Sequence, residues 1–193
     1  MVRPFVLLIL FCCAVFCVYS QGWYKGIVYL NNGGVVSGEI AHTPGTDHIL
    51  LGFGDEEPAM VLPCFRITSF SFYDDEAELE RKFISLRTTI GAAKPYYFYE
   101  VVTEGALTVV RKQLNLWFSL RDETIEFDYY ILNNGEVIPI HDFKDALYPS
   151  LKSSSTMLSD FAKKNKINPA RIRDAVRFIE YYNEVQSGVA SAR

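Results

Sequence analysis

His42, Asp47 and His48 fall within seven residues of one another, and two imidazoles and a carboxylate meeting across a turn are the kind of donors that hold zinc. The chain has just one further histidine, His141, far along the sequence, and clustered ligands at short fixed spacings are otherwise missing. The segment His42-Thr43-Pro44-Gly45-Thr46-Asp47 therefore reads as a surface turn, and neither a metal nor another cofactor is expected. His141 stands beside Asp142 where helical patterning begins, which makes it the neighbour of a helix cap. Cys64 lies in the apolar run Met60-Val61-Leu62-Pro63-Cys64-Phe65 with no histidine nearby to activate it, and reads as a buried structural thiol. Asp74-Asp75-Glu76 lacks the spaced oxygen ligands and central glycine of a calcium loop. Gly-x-Ser-x-Gly, P-loop and dinucleotide-binding glycine patterns are all missing, so no catalytic residue is assigned. Trp117, Phe118 and Arg121, in a stretch (115–124) without clear period, are the candidates for binding a partner.

The start of the chain bears on where such a partner is met. Met1 and Arg3 precede an almost unbroken apolar run from Phe5 to Val18, and Val18-Tyr19-Ser20 offers a cut ahead of Gln21. This reads as a secretory signal peptide. The run is about 14 residues, short of the roughly 20 that span a bilayer, so removal is expected, with no transmembrane segment afterwards. Phe11 and Phe16 stand before Cys12 and Cys17, where a lipid-modified cysteine requires a small residue. The expectation is an exported protein, periplasmic or outer-membrane-associated, or extracellular.

Removal of residues 1–20 takes three of the four cysteines, leaving Cys64 and no internal disulfide in a monomer. The remaining chain must hold itself together by burial, and at its size roughly 70% of the unfolded surface is removed from water. The formal charge is −4, and −5 once Arg3 is lost. That sign opposes the phosphate neutralisation on which nucleic-acid binding depends, so nucleic acid is excluded as a partner.

The positioning elements follow from pattern. Residues 21–74 alternate in short runs bounded by Asn31-Asn32-Gly33-Gly34, His42–Asp47 and Gly54–Pro58, which predicts five strands in a small closed antiparallel β-barrel or sandwich. Residues 75–94 read as a solvated charged connector with one short strand at Phe83–Leu86. Tyr96–Val102 with Ala106–Leu114, and Phe127–Leu132 with Glu136–Ile140, predict two hairpins in an antiparallel β unit over 95–141. Helices occupy 142–186: one capped by Asp142, one by Ser155, and one beginning at Asn168-Pro169 with the stripe Ile172, Ala175, Val176, Ile179 and Tyr182. Those helices are expected to cover one set of the rings in Tyr96-Tyr97-Phe98-Tyr99 and Tyr129-Tyr130. Residues 187–193 read as a frayed tail. The fold class is α+β.

Gly26-Ile27-Val28-Tyr29-Leu30, Gly34 to Ile40 and Ile67-Thr68-Ser69-Phe70 resemble the strands of SH3-like small barrels, Sm-like ones included. The Asp…Met-Asn segment that Sm proteins use on RNA has Asp47-His48 as its nearest match, and Arg66-Ile67 stands in place of their Arg-Gly. The resemblance thus implies a fold and no RNA site. The start Gly22-Trp23-Tyr24-Lys25-Gly26, together with Asp142 to Leu151, Phe161 to Lys166 and Arg177 to Asn183, is similar to uncharacterised exported proteins of Bacteroidota, a group with no activity to transfer. The functional expectation is a non-catalytic binding or structural module of the envelope whose partner is another envelope protein or a surface polymer. The alternative is a hydrolase of envelope or extracellular polymers.

Overall fold

Period-two patterning takes effect along almost the whole β region. Val28 on Tyr24–Leu30 and Ile40 on Val35–Ala41 are fully buried, while Ile27, Tyr29 and Val35 face the other way. The computed structural model describes residues 22–54, 57–87, 95–113 and 127–188. Its strands are β1 (Tyr24–Leu30), β2 (Val35–Ala41), β3 (His48–Gly52), β4 (Met60–Pro63), β5 (Ile67–Asp74), β6 (Leu79–Arg87), β7 (Tyr96–Thr103), β8 (Thr108–Gln113), β9 (Phe127–Asn133) and β10 (Glu136–Pro139). Four helices follow: α1 (Phe143–Ala146), α2 (Tyr148–Ser153), α3 (Thr156–Lys164) and α4 (Ile172–Gln186). The protein is α+β, with a large antiparallel sheet and C-terminal helices.

The ten strands form one sheet in the order β10-β9-β8-β7-β6-β5-β1-β2-β3-β4. A closed N-terminal barrel was expected; the sheet is open instead. After the 3-10 turn Cys64–Arg66, β5 returns to pair with β1 on one edge and takes β6 on the other, so both of its edges extend the sheet. The stretch read as a charged connector supplies that extension. Asp74 Oδ1 accepts from the Glu76 and Ala77 backbone N–H groups at 3.2 and 3.1 Å, Glu78 adopts φ 53°, and the chain turns straight into β6.

Two copies of Leu-Asn-Asn-Gly make two different turns. Asn134 and Gly135 both take positive φ (48° and 85°), as a two-residue primed hairpin requires. At the first copy Gly33 alone does so (φ 87°) within a three-residue loop closed by Leu30 N donating to Gly34 O at 2.8 Å. Close strand approach also needs glycine at Gly38, where a Cβ would sit 2.6 Å from the Gly52 carbonyl oxygen.

Cross-strand registers put Val36, Val28, Phe70, Phe83, Glu100, Arg111 and Tyr129 in one row on one face. That row joins two apolar cores. The N-terminal core gathers Val28, Ile40, Ile49, Leu51, Phe70, Phe72, Phe83 and Phe98, with Cys64 buried at its margin and its Sγ donating to the Tyr96 carbonyl at 3.2 Å. The C-terminal core packs Leu107, Val109 and Ile131 of the sheet side against Phe143, Leu158, Ala175, Phe178 and Ile179. The helices thus cover Tyr129, as expected of one ring set. Phe98 instead joins the N-terminal core, and Tyr99 lies on the opposite face, edge-on to Tyr130.

Ser155 caps α3, its hydroxyl accepting from Met157 N at 3.2 Å. Asp142 precedes α1 without a side-chain cap bond. Asn168-Pro169 marks a turn before the helix, and α4 itself starts at Ile172. Asn168 Oδ1 accepts from Ala170 N, and Asp174 Oδ2 in the first helical turn accepts from Asn168 N. Near the other end of α4, Asn183 grips the β7–β8 turn by accepting from Leu107 N at 2.9 Å and donating to Leu107 O at 2.7 Å. Asn183→Ala strands both Leu107 groups and is expected to cost about 1–3 kcal/mol, read as a lower urea midpoint at unchanged m-value.

Candidate functional site

Between the two cores the shared row turns polar. Glu100 on β7 is buried, and the registers bring Arg111 of β8 opposite it. Arg81 is two residues from Phe83 on β6 and so shares its face. Arg81 Nε donates to Glu100 Oε1 at 2.9 Å and Arg111 Nε donates to Oε2 at 2.7 Å, so each carboxylate oxygen receives one guanidinium. Arg81 Nη1 also reaches Asp74 Oδ2 at 3.5 Å. Each guanidinium lies over a ring, Arg81 5.4 Å from the Phe83 centroid and Arg111 4.3 Å from that of Phe127. Burial pushes the Glu100 carboxyl up, but the hydrogen bonds and charges of Arg111 and Arg81 pull harder and hold it below the usual carboxylate range. Burial also works against charged Arg111, but the hydrogen bonds and charges of Glu100 and Tyr129 together more than offset it and raise its pKa.

His42 closes this site from above. It follows β2, and its ring meets Phe83, Phe70 and Phe98 edge-on at 4.8, 5.4 and 5.7 Å. Its Nδ1 is buried and finds no hydrogen-bond partner among the described residues. Burial first, and the Arg81 charge second, lower its pKa to about 4 from 6.5. A cavity of about 20 Å³ separates His42 and Gly45 from Arg81, Glu100 and Arg111, room for something of the size of one water molecule.

Chemically this is a closed cluster. Two guanidiniums face two carboxylates, Glu100 has no oxygen without a cation, and the imidazole is neutral at pH 7. His42 is the titrating member. Because its folded pKa is depressed, the native state binds fewer protons than the unfolded one. The stability linked to its neutral form is fully present above pH 6.5 and is lost as pH falls toward about 4. The gap corresponds to at most about 3 kcal/mol. Urea midpoints are expected to drop over this window, and His42→Gln is expected to flatten the drop.

His42 and His48 do not converge on one centre. His48 Nδ1 lies 3.1 Å from Asp47 Oδ1 at the surface, while the His42 ring is packed inward. Among the described residues no group of three His, Cys, Asp or Glu side chains is placed to hold a metal ion. Exposed His141 lies 3.5 Å from Asp142. A broad cavity of about 590 Å³ near it is lined by Glu136, Asp142 and Asp145 together with Asn133 and apolar residues of β10 and α1. Trp117, Phe118 and Arg121 lie outside the described residues. Sequence reading passed over Arg81, Glu100 and Arg111. The available signal was alternation itself: within Tyr96–Thr103, Glu100 occupies the parity of Phe98, so one charge falls on a core-facing position.

No described helix is long and apolar enough to cross a membrane. Compared with family models, curated proteins and solved structures, the chain matches none of them.

Proposed function

We propose that this is an exported protein of the cell envelope that binds another envelope protein or a surface polymer and catalyses no reaction. The observation that carries the reading is the closed state of its buried ionic cluster: both Glu100 oxygens are bound by arginines, and the adjoining cavity holds no more than about one water. A general base needs room for substrate beside it and a basic enough oxygen, whereas the cavity here is the size of one water and the two arginines hold the Glu100 carboxyl below the usual range. The apolar start of the chain supports export, and the start Gly22-Trp23-Tyr24-Lys25-Gly26 supports kinship with the exported Bacteroidota proteins it resembles. The order β5-β1-β2-β3-β4 around one core, with a 3-10 turn before β5, supports an SH3-like origin for the N-terminal half, extended at β5 into a longer sheet.

Trp117, Phe118 and Arg121 are the contact residues of this reading. Crosslinking the tagged protein in its own envelope is expected to capture one dominant, salt-resistant partner, and replacing all three residues by alanine is expected to lose it. Recovery of monomer alone, or capture that the triple replacement leaves intact, overturns the respective part.

The second reading is a polymer hydrolase, and what favours it is the groove lined by Glu136, Asp142 and Asp145, since pairs of carboxylates flanking an open groove are what glycoside hydrolysis uses. Turnover of an envelope polysaccharide that Glu136→Gln or Asp145→Asn abolishes, with folding intact, would replace the binding reading with this one.

A further inference from the structure

The face of the sheet turned away from both cores carries an open groove in its N-terminal half. Registers set Lys25 on β1, Glu39 on β2 and Gly52 on β3 side by side across that face. Trp23 lies over Gly52: a Cβ there would sit 3.3 Å from the Trp23 Cζ3, so the indole takes the room a side chain would need. Phe53 follows the end of β3, and it and Trp23 each remain 44% exposed. Lys25, Ser37, Glu39, Gly52 and Phe53 are among the residues lining a cavity of about 450 Å³. From Ser37 the same face runs through Ile27 to Ser71 on β5. A second groove of about 430 Å³ lies there, lined by exposed Tyr29 with Ser69 and Ser71.

We propose that this face binds a neutral polysaccharide, an uncharged polyhydroxyl chain laid across β3, β2, β1 and β5. Such a site selects the surface polymer from the two partners of the binding reading, on which it rests. A sugar ring presents C–H groups on one face, and these pack on aromatic rings, whose own faces carry partial negative charge. Trp23, Phe53 and Tyr29 offer such rings to solvent. A hydroxyl both accepts and donates, so one sugar can take a bond from Lys25, which only donates, and give one to Glu39, which only accepts. Ser37, Ser69 and Ser71 extend that polar lining with hydroxyls of their own. Charge sets the choice of polymer. Across the two grooves Lys25 and Lys82 stand against Glu39, Glu80 and Glu104, and Lys82 is already paired with Glu104 at 2.7 Å. That near balance suits neither a polyanion nor a polycation. An extended peptide docks at a sheet edge through main-chain hydrogen bonds, but β1, β2, β3 and β5 each have both edges paired.

Affinity electrophoresis tests this, with polysaccharide from the protein's own envelope split by anion exchange into an uncharged and an anionic fraction. The uncharged fraction is expected to retard the tagged protein, and about 0.5 M salt is expected to leave that retardation in place, since salt screens charges alone. Replacing Trp23 and Phe53 together by alanine is expected to weaken it roughly tenfold or more, with the circular dichroism of the parent retained. Should that variant fail to fold, the exposed pair Lys25→Ala and Glu39→Ala takes its place, with a loss of retardation again expected. Retardation by neither fraction overturns the proposal, as does equal or stronger retardation by the anionic fraction, or retardation that the folded variants leave unchanged. If neither fraction acts while envelope crosslinking still captures a protein, the polysaccharide site falls and the binding reading stands. No retardation together with recovery of monomer alone removes both.

Discussion

Glu100→Gln is expected to lower stability by about 3–5 kcal/mol. The substitution is nearly isosteric, so it removes charge and one acceptor while leaving packing alone. Arg81 and Arg111 then face each other across a buried amide that cannot satisfy both, and Arg81 retains just the 3.5 Å contact to Asp74. Equilibrium urea unfolding should show the loss as a lower midpoint, and thermal melting as a fall of about 10–15 °C for a chain of this size. Replacing the triad together, Arg81→Met, Glu100→Leu and Arg111→Met, should recover much of it, because apolar side chains need no counter-charge. A loss under about 1 kcal/mol in Glu100→Gln would mean that water screens the cluster. Acid acts on the same cluster in sequence. His42 protonation comes first, between pH 6.5 and about 4. Glu100, whose carboxyl is held down by its arginines, contributes stability above its ordinary pKa of 4.5 and gives it up at still lower pH.

Phe178→Ala is expected to cost about 3–5 kcal/mol by opening a cavity in the C-terminal core. Phe178 is fully buried on α4, with its ring 5.0 Å from Tyr148 and 6.1 Å from Phe143. It therefore ties α4 to α1 and α2, and its loss loosens the whole helical layer. The readout of most interest is the shape of unfolding. The row from Val28 through Phe83, Glu100 and Arg111 to Tyr129 makes the two cores one cooperative unit. Phe178→Ala and its N-terminal counterpart Phe70→Ala should then shift a single transition, whether followed by fluorescence or by circular dichroism. Two transitions, each moved by one variant alone, would show that the polar row uncouples the halves.

Much of the local structure was legible from neighbours in the chain. Asn134-Gly135 sits between two apolar runs, Ser155 precedes an amphipathic helix, and Ile172, Ala175, Val176 and Ile179 recur at helical spacing; each settles its own element because the physics is confined to a few adjacent residues. Cys64 was readable as buried for the same reason. Less was legible where one local signal fits two structures. Asn31-Asn32-Gly33-Gly34 carries the hairpin dipeptide yet makes a three-residue loop, and the charged run after Asp74 passes for a linker until β5 is there to pair with β6.

What composition and pattern determined by themselves was the class of the protein: α+β, mildly acidic, with β hairpins before helices. The tertiary structure alone decided that β5 joins β1 to β6 and so keeps the sheet open, and that Arg81, Glu100, Arg111 and His42 meet at the seam of two cores. The physical reason is range. Turns and caps are settled by bonds between residues a few positions apart, whereas strand register is settled by the burial of a whole face at once, and no single segment carries that information.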